Sequence, residues 1–273
     1  MKIVFQGEHG AYSEEAILQR FGSLVETVPC PTLIAVFDAV ECGEVDLGLV
    51  PVENTLEGSI VQTYDLLLKS DLKVEAEVIL RIAHCLIANS GVTLDDVKRV
   101  YSHPQALGQC RSFLESRGYD AVAAYDTAGS VKMLKEEGLR DAAAIASKRA
   151  AEVYGMAVLA TNIEIHPENY TRFFIIGHSD CSPTGRDKTS IVFSIDHKPG
   201  TLFQALRGFA ERGVNLTKIE SRPIVGRPWE YLFHMDFEGH RENQSLRLAL
   251  EELKTRSSFL KILGSYPRAN GIS

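Results

Sequence analysis

The stretch Asn169-Tyr170-Thr171-Arg172-Phe173-Phe174-Ile175-Ile176-Gly177 runs a polar quartet straight into a short apolar run. An apolar run of that length suits a buried strand, and the quartet marks a loop entering it. Thr171 and Arg172 therefore stand where a loop meets a sheet. A small hydroxyl donor beside a fixed cation suits a site that handles an oxyanion. The same pair also suits a plain strand start, with a capping threonine and a surface arginine. The chain on either side decides between these readings.

Upstream, residues 1–178 alternate short apolar runs with helical patterns. Strands are expected at 2–5, 24–28, 47–52, 74–88 (as two strands), 99–102, 121–124, 142–146 and 172–176. Helices are expected at 13–21, 32–43, 60–69, 94–97, 104–117, 128–137 and 147–154. Such alternation implies largely parallel α/β sheets with helices on their faces. The paired strands at 74–88 mark a passage into a second lobe. The expected fold is a two-lobed clamp that resembles periplasmic binding proteins. Lobe 1 takes about 1–75 and 157–179, and lobe 2 about 76–156. Thr171 and Arg172 then face the cleft.

Most of these strands end in a small polar cluster before a helix. Gly7 to Ser13, Glu53 to Ser59, Ser102-His103-Pro104-Gln105 and Asp126-Thr127 are the clearest. Helix starts carry free N–H groups and a partial positive charge, so several of them at one crevice would bind an anion. In open α/β sheets that crevice lies beyond the C-terminal strand ends. Each cluster taken singly reads first as a capped helix start. Gly7-x-x-Gly10 lacks the following Gly-Lys-Ser/Thr of a P-loop.

Downstream, residues 180–188 are turn-rich and polar and read as a linker. After them the pattern changes. Strands are expected at 189–196, 214–222, 230–238 and 260–266. A helix at 200–212 sets Leu202, Phe203, Leu206 and Phe209 on one face, and another at 244–255 carries Leu246, Leu248, Leu250 and Leu253. The order β-α-β-β-α-β over 189–267 is that of a ferredoxin-like sandwich.

The 273 residues suffice for two domains, and 45% hydrophobic with 24% charged residues is a globular balance. A net charge of −7 argues against a nucleic-acid or acidic-membrane binder, so any anion site must be local. The five cysteines are odd in number and show no C-x-x-C pair, which points to a reducing compartment rather than a disulfide framework or zinc site. The first residues lack the apolar length of a signal peptide, and no run is long enough to span a bilayer. A cytoplasmic protein is expected.

Taken in order, the motifs resemble those of the prephenate dehydratase family with a C-terminal ACT regulatory domain. Thr171-Arg172-Phe173 matches a Thr-Arg-Phe signature, and Pro51-Val52-Glu53-Asn54-Thr55 looks like a Pro-Ile/Val-Glu-Asn-Ser element. Ser102-His103-Pro104-Gln105-Ala106-Leu107 and Asp126-Thr127-Ala128 match two further blocks. In the ACT part, Glu220-Ser221-Arg222-Pro223 matches the effector-site motif, and Pro199-Gly200-Thr201-Leu202-Phe203 corresponds to a Gly-Ala-Leu element. Two positions depart from the pattern: Thr55 replaces Ser and keeps the hydroxyl, whereas Thr201 replaces Ala beside the effector pocket. The family also occurs fused to a chorismate mutase. The chain opens directly on an α/β strand, so no mutase domain is expected.

The resemblance implies a reaction in which prephenate loses carbon dioxide and its ring hydroxyl to give phenylpyruvate. It implies no metal, redox cofactor or covalent nucleophile. Thr171 is assigned as donor to the departing oxygen, with Arg172 as carboxylate clamp and Glu53 and Asn54 beside them. Glu53 reads equally as a loop cap. Tyr12, Ser13, Ser59, Ser102, His103, Gln105, Thr127 and Phe173 are the expected substrate-binding residues. His9, His84, His166, His178, His197, His234 and His240 stay unassigned. Gly200, Thr201, Leu202, Phe203, Glu220, Ser221, Arg222 and Pro223 are expected to bind the effector phenylalanine, with ACT domains pairing into a homodimer or homotetramer. Two other readings stay open: a dehydratase preferring arogenate, the aminated analogue, and a non-catalytic ligand sensor.

Overall fold

The structure is a computed structural model that describes residues 1–224 and 226–269. Its first sheet holds β1 (Lys2–Gln6), β2 (Glu26–Cys30), β3 (Leu47–Asn54), the short β4 (Gly58–Ser59), β5 (Lys73–Arg81) and β11 (Tyr170–Gly177). The order is β2-β1-β3-β11-β5, with β4 paired to β3. The second sheet holds β6 (Cys85–Ala88), β7 (Arg99–Ser102), β8 (Asp120–Ala123), β9 (Ala142–Ala146) and β10 (Ala157–Thr161), in the order β10-β6-β9-β7-β8. Between the strands lie α1 (Tyr12–Phe21), α2 (Leu33–Glu41), α3 (Val61–Lys69), α4 (Pro104–Gln109), α5 (Arg111–Arg117), α6 (Thr127–Glu137) and α7 (Lys148–Tyr154). β1 pairs in parallel with β2 and β3, and β7 with β8 and β9, as helical crossovers require. β6 runs antiparallel to β9 and β10. The chain leaves the first sheet after β5 and returns at β11, giving a two-lobed α/β clamp.

Local chemistry explains the elements. Thr32 starts α2 by accepting from Ala35 N at 3.1 Å, and Ser147 starts α7 by accepting from Ala150 N at 3.0 Å. β9 is Ala-Ala-Ala-Ile-Ala, every residue buried, although alanine favours helices. Its place between β6 and β7 overrides that preference, and its small side chains leave room for Val131 and Leu134 of α6. Gly10 has φ +88°, and a Cβ there would lie 2.6 Å from the Cα of Ala150, so only glycine lets the β1–α1 loop meet α7.

Several expected boundaries are corrected. β5 continues in the first sheet to Arg81 and β10 pairs with β6 in the second. The lobe boundaries expected at 75/76 and 156/157 therefore move to the crossovers after Arg81 and after Thr161. β2 starts at Glu26, with Leu24 98% exposed. Residues 94–97 form a turn, because Thr93 N and Oγ1 both donate to Asp96 Oδ2. The helix expected at 104–117 breaks at Cys110, whose ψ is 10°.

The third sheet is antiparallel, with β12 (Asp187–Ser194), β13 (Leu216–Ile224), β14 (Arg227–Glu238) and β15 (Phe259–Pro267) in the order β13-β14-β12-β15. α8 (Thr201–Ala210) and α9 (Gln244–Arg256) cover one face. Their core includes Ile191, Phe193, Phe209, Met235, Phe237 and Leu253. Leu248 and Phe203, apolar residues of the two helices, stay outside that core and are 41% and 67% exposed.

The chain divides into two compact units: Met1–Thr63 with Val78–Phe173, and Tyr64–Glu77 with Phe174 onward. This division does not fall at the linker expected at 180–188. The reason is the other face of the third sheet, which is polar yet buried under residues 64–77. Lys188, Ser190, His234, Asp236 and Tyr266 are all buried there. Tyr64 lies 4.7 Å from the His234 ring, Lys188 Nζ 3.0 Å from Glu77 Oε1, and Lys261 Nζ donates to Leu68 O. The linker also ends early: Asp187 already begins β12 and accepts from Thr184 N and Oγ1.

His234 gives this face a pH dependence. Its Nδ1 has no hydrogen-bond partner among the described residues, and burial pushes its pKa down to about 4. Arg222 and Lys218 push the same way, while Glu220 and Asp236 oppose them, and the Tyr64 ring covers it. An unfolded histidine titrates near ~6.5. Below that pH the unfolded chain takes up a proton that the folded chain refuses, so stability falls. The loss runs from about pH 6.5 to about 4 and reaches on the order of 3 kcal/mol. Denaturant midpoints at pH 7 and pH 5 should differ less in His234→Phe than in the unaltered protein. Equal differences would remove His234 as the cause.

Candidate active site

The two lobes of the first unit enclose a cavity of about 240 Å³. Pro51 and Asn54 of β3 and Thr171 and Phe173 of β11 form one wall, and helix starts form others: Tyr12 and Ser13 of α1, Gln105 of α4, and Asp126 and Thr127 at α6. His103 lines it too, and its Nδ1 accepts from Gln105 N at 3.3 Å, so it both caps α4 and faces the cavity. Of the expected site residues, Asn54, Tyr12, Ser13, His103, Gln105, Thr127, Thr171 and Phe173 are thus brought together.

Four expected residues are not. Side chains alternate along a strand, so Thr171 and Phe173 face the cavity while Arg172 faces away. On β3 Asn54 lines the cavity and Glu53 does not. Arg172 Nη1 and Glu53 Oε2 lie 3.8 Å apart, outside the cavity lining. Ser59 sits on β4 opposite Glu53. Ser102 is fully buried and donates to Ile145 O at 2.7 Å, tying β7 to β9.

The cavity wall carries a hydrogen-bond chain whose polarity is fixed from one end. Asn54 Oδ1 accepts from the backbone N–H of Leu56 and Glu57, at 2.9 and 3.1 Å. Its amide nitrogen must therefore point the other way. It faces three acceptors, Asn169 Oδ1 at 2.8 Å, Thr171 Oγ1 at 3.0 Å and, more distant, Tyr170 O at 3.2 Å. With its oxygen engaged, Asn169 donates through Nδ2 to Gln109 Oε1 at 2.9 Å. That oxygen also faces His84 Nε2 at 2.8 Å, so Nε2 carries the proton and Nδ1 is an acceptor 2.7 Å from Tyr12 OH, a hydroxyl that also lies 3.0 Å from Ala83 O. Burial lowers the His84 pKa and raises that of Tyr12, which keeps the imidazole neutral and the phenol protonated. One consequence concerns Thr171. Its oxygen already accepts from Asn54, so its own proton is left to donate into the cavity.

Sequence reasoning missed His84, Gln109 and Asn169. Gln109 follows Gln105 by four residues, one helical turn, which places both on one face. Asn169 was in the opening stretch without a role. His84 lies between β5 and β6 and carried no local signal.

A second cavity of about 490 Å³ adjoins the first and shares Tyr12, Ser13, His103, Asp126 and Thr127 with it. Glu8 also lines it, 3.1 Å from Lys132 Nζ and 3.2 Å from Tyr125 OH. In the second unit, a cavity of about 520 Å³ is lined by Asp196, Gly200, Thr201, Leu202, Phe203, Tyr231 and Phe233, among others. Thr201 Oγ1 is placed against Asp196 O and Lys198 O, both at 2.8 Å, so its hydroxyl closes the loop. The Glu220–Pro223 motif does not line this cavity within one chain. Glu220 pairs with Lys218 at 3.2 Å and Arg222 with Asp65 at 3.4 Å. Ser221 and Pro223 instead stand opposite Phe233 and Tyr231 of its wall.

A two-lobed α/β clamp with helix starts and an oriented hydroxyl in its cleft is a small-molecule site, and a ferredoxin-like domain follows it. Comparison with known proteins makes this specific. The prephenate dehydratase family matches residues 3–181, and the ACT domain family residues 189–255. An arogenate dehydratase/prephenate dehydratase of Arabidopsis thaliana is 44% identical, over 98% of this chain and 73% of its own. The prephenate dehydratase of Arthrobacter aurescens in complex with L-Phe is 34% identical, with TM-score 0.90 over 98% of this chain and 90% of that one. GqqA, described as a novel type of quorum quenching acylase, is 36% identical, with TM-score 0.90 over 98% of both chains. The chain belongs to the prephenate dehydratase family, a group of carbon–oxygen lyases, and carries an ACT domain.

Proposed function

We propose that the cavity around Thr171 carries out the decarboxylative dehydration of prephenate to phenylpyruvate in phenylalanine biosynthesis. As the carboxylate leaves as carbon dioxide, its bonding pair enters the ring and expels the ring hydroxyl, which leaves as water after taking a proton. Thr171 donates a hydrogen bond to the departing oxygen, and the observation that carries this role is the Asn54 amide held on its Oγ1 at 3.0 Å. An alcohol is a weak acid near neutrality, so the hydroxyl stabilises developing charge and passes on a proton from water. The N–H groups at the starts of α1 and α6 receive carboxylate. Acyl hydrolysis would instead call for a nucleophile held by a base, and Thr171 is held by an amide.

Phenylalanine binds at the ACT cavity, where Leu202, Phe203, Tyr231 and Phe233 suit its ring. The motif Glu220–Pro223 completes that site when ACT domains of two copies pair, in a dimer or tetramer working in the cytoplasm. Its binding disfavours the productive cleft by roughly 1–3 kcal/mol of coupling. Incubation with prephenate should yield phenylpyruvate, and phenylalanine should slow it. No phenylpyruvate would end the reading of the cleft, and activity indifferent to phenylalanine would end that of the ACT cavity.

A further inference from the structure

We infer that Thr55, the residue just past the end of β3, is a positioning residue for the dehydration: its hydroxyl fixes the strand entry that aims Thr171 into the cavity. This rests on the dehydratase reading above and adds a residue to it. Thr55 is exposed and outside the cavity lining, so it acts through Thr171 rather than on bound substrate.

β3 and β11 are neighbours in the first sheet, and β3 stops at Asn54 where β11 starts at Tyr170. Residue 55 continues the pairing past that point by a mixed route. Its backbone N–H donates to Tyr170 O at 2.9 Å. The reciprocal bond is made by the side chain, with Thr55 Oγ1 accepting from Tyr170 N at 3.0 Å. The one proton of the hydroxyl goes to Glu168 O, also at 3.0 Å. Tyr170 N belongs to the peptide plane before that residue, and Tyr170 O to the plane after it, which also carries Thr171 N. Each plane is rigid, so holding both from residue 55 fixes the backbone turn at Tyr170. That turn sets the direction in which the Thr171 side chain leaves the chain. The Asn54 amide, one residue before Thr55, meets Thr171 Oγ1 at 3.0 Å only while the two strand ends stay in this register. Both bonds of the Thr55 hydroxyl lie at the exposed surface, so water can satisfy Tyr170 N and Glu168 O when it is removed. The fold therefore tolerates its loss better than the aim of Thr171 does.

The test is steady-state kinetics of the full chain on prephenate with two variants. Thr55→Val keeps the branched shape and removes the hydroxyl, and Thr55→Ser keeps the hydroxyl. Misplacing a reacting group by about 1 Å can cost on the order of 10² in rate, so Thr55→Val is expected to lower kcat by roughly 10–100-fold with little change in KM. Thr55→Ser should recover most of that loss. In a Thr171→Ala background no hydroxyl is left to aim, and Thr55→Val should then cost less than about threefold more. Hydrogen exchange at the Tyr170 amide should quicken in the valine variant and not in the serine one. An equal fold loss from Thr55→Val in both backgrounds would overturn the inference and leave Thr55 as a plain structural contact. Near-normal turnover in the valine variant, a loss confined to KM, a serine variant as slow as the valine one, or unchanged exchange at Tyr170 would overturn it as well. Each of these leaves the dehydratase reading standing. An unaltered enzyme that yields no phenylpyruvate would overturn that reading and the inference with it.

Discussion

Thr171→Ala is expected to lower kcat for prephenate by about 10²–10³ while KM changes little. The argument starts from the backbone N–H groups of Leu56 and Glu57, which fix the Asn54 amide and leave it pointing at Thr171 Oγ1. A hydroxyl that already accepts has its proton free to give. Thr171 is only 9% exposed, so its donor works in a site with little competing water. The departing oxygen gains negative charge only as the reaction proceeds, and a donor aimed at it acts more on the transition state than on bound substrate. Thr171→Ser keeps the hydroxyl and should retain most of the rate. Two results would count against this role: near-normal turnover in the alanine variant, or serine and alanine variants equally slow.

The fold was legible because hydrophobic period and helix-start chemistry are local signals. Helices formed at the starts expected at 32, 104 and 147, and the strands expected at 189–196 and 230–238 formed the ferredoxin-like sheet. The site was legible where a motif residue also reached the cavity. Thr171 and Asn54 do, whereas Arg172 and Glu53 lie outside its lining. Alternation along β11 separates Thr171 and Phe173 from Arg172, and that much can be counted in a sequence once one inward residue is known. His84 and Asn169 were not legible in the same way, since their roles come from partners at Tyr12, Gln109 and Asn54, far away in sequence. The burial of the polar face on the third sheet was equally hidden. Lys188 falls in the expected linker and Asp236 in an expected strand, and only the tertiary packing of residues 64–77 buries them.

That packing makes Lys188→Ala the substitution with the largest expected effect on stability. Glu77 is 2% and Lys188 9% exposed, and Lys188 Nζ lies 3.0 Å from Glu77 Oε1 and 3.2 Å from Oε2. Glu77 Oε1 also accepts from Ala269 N at 3.0 Å. Removing the lysine takes the balancing cation from a carboxylate that is almost fully buried, a change that typically costs about 3–5 kcal/mol. At roughly 2–4 °C per kcal/mol for a chain of this size, the melting midpoint should drop by roughly 6–20 °C. Desolvating both charges costs much of what their attraction returns, so an intact buried pair adds little net stability over an apolar one. Glu77→Leu combined with Lys188→Met should accordingly melt close to the unaltered protein or above it. A single variant that melts within a degree or two of the parent would mean that the carboxylate finds water or another partner. A double variant as unstable as the single one would show that the pair contributes through its hydrogen bonds and geometry, which two apolar side chains cannot replace.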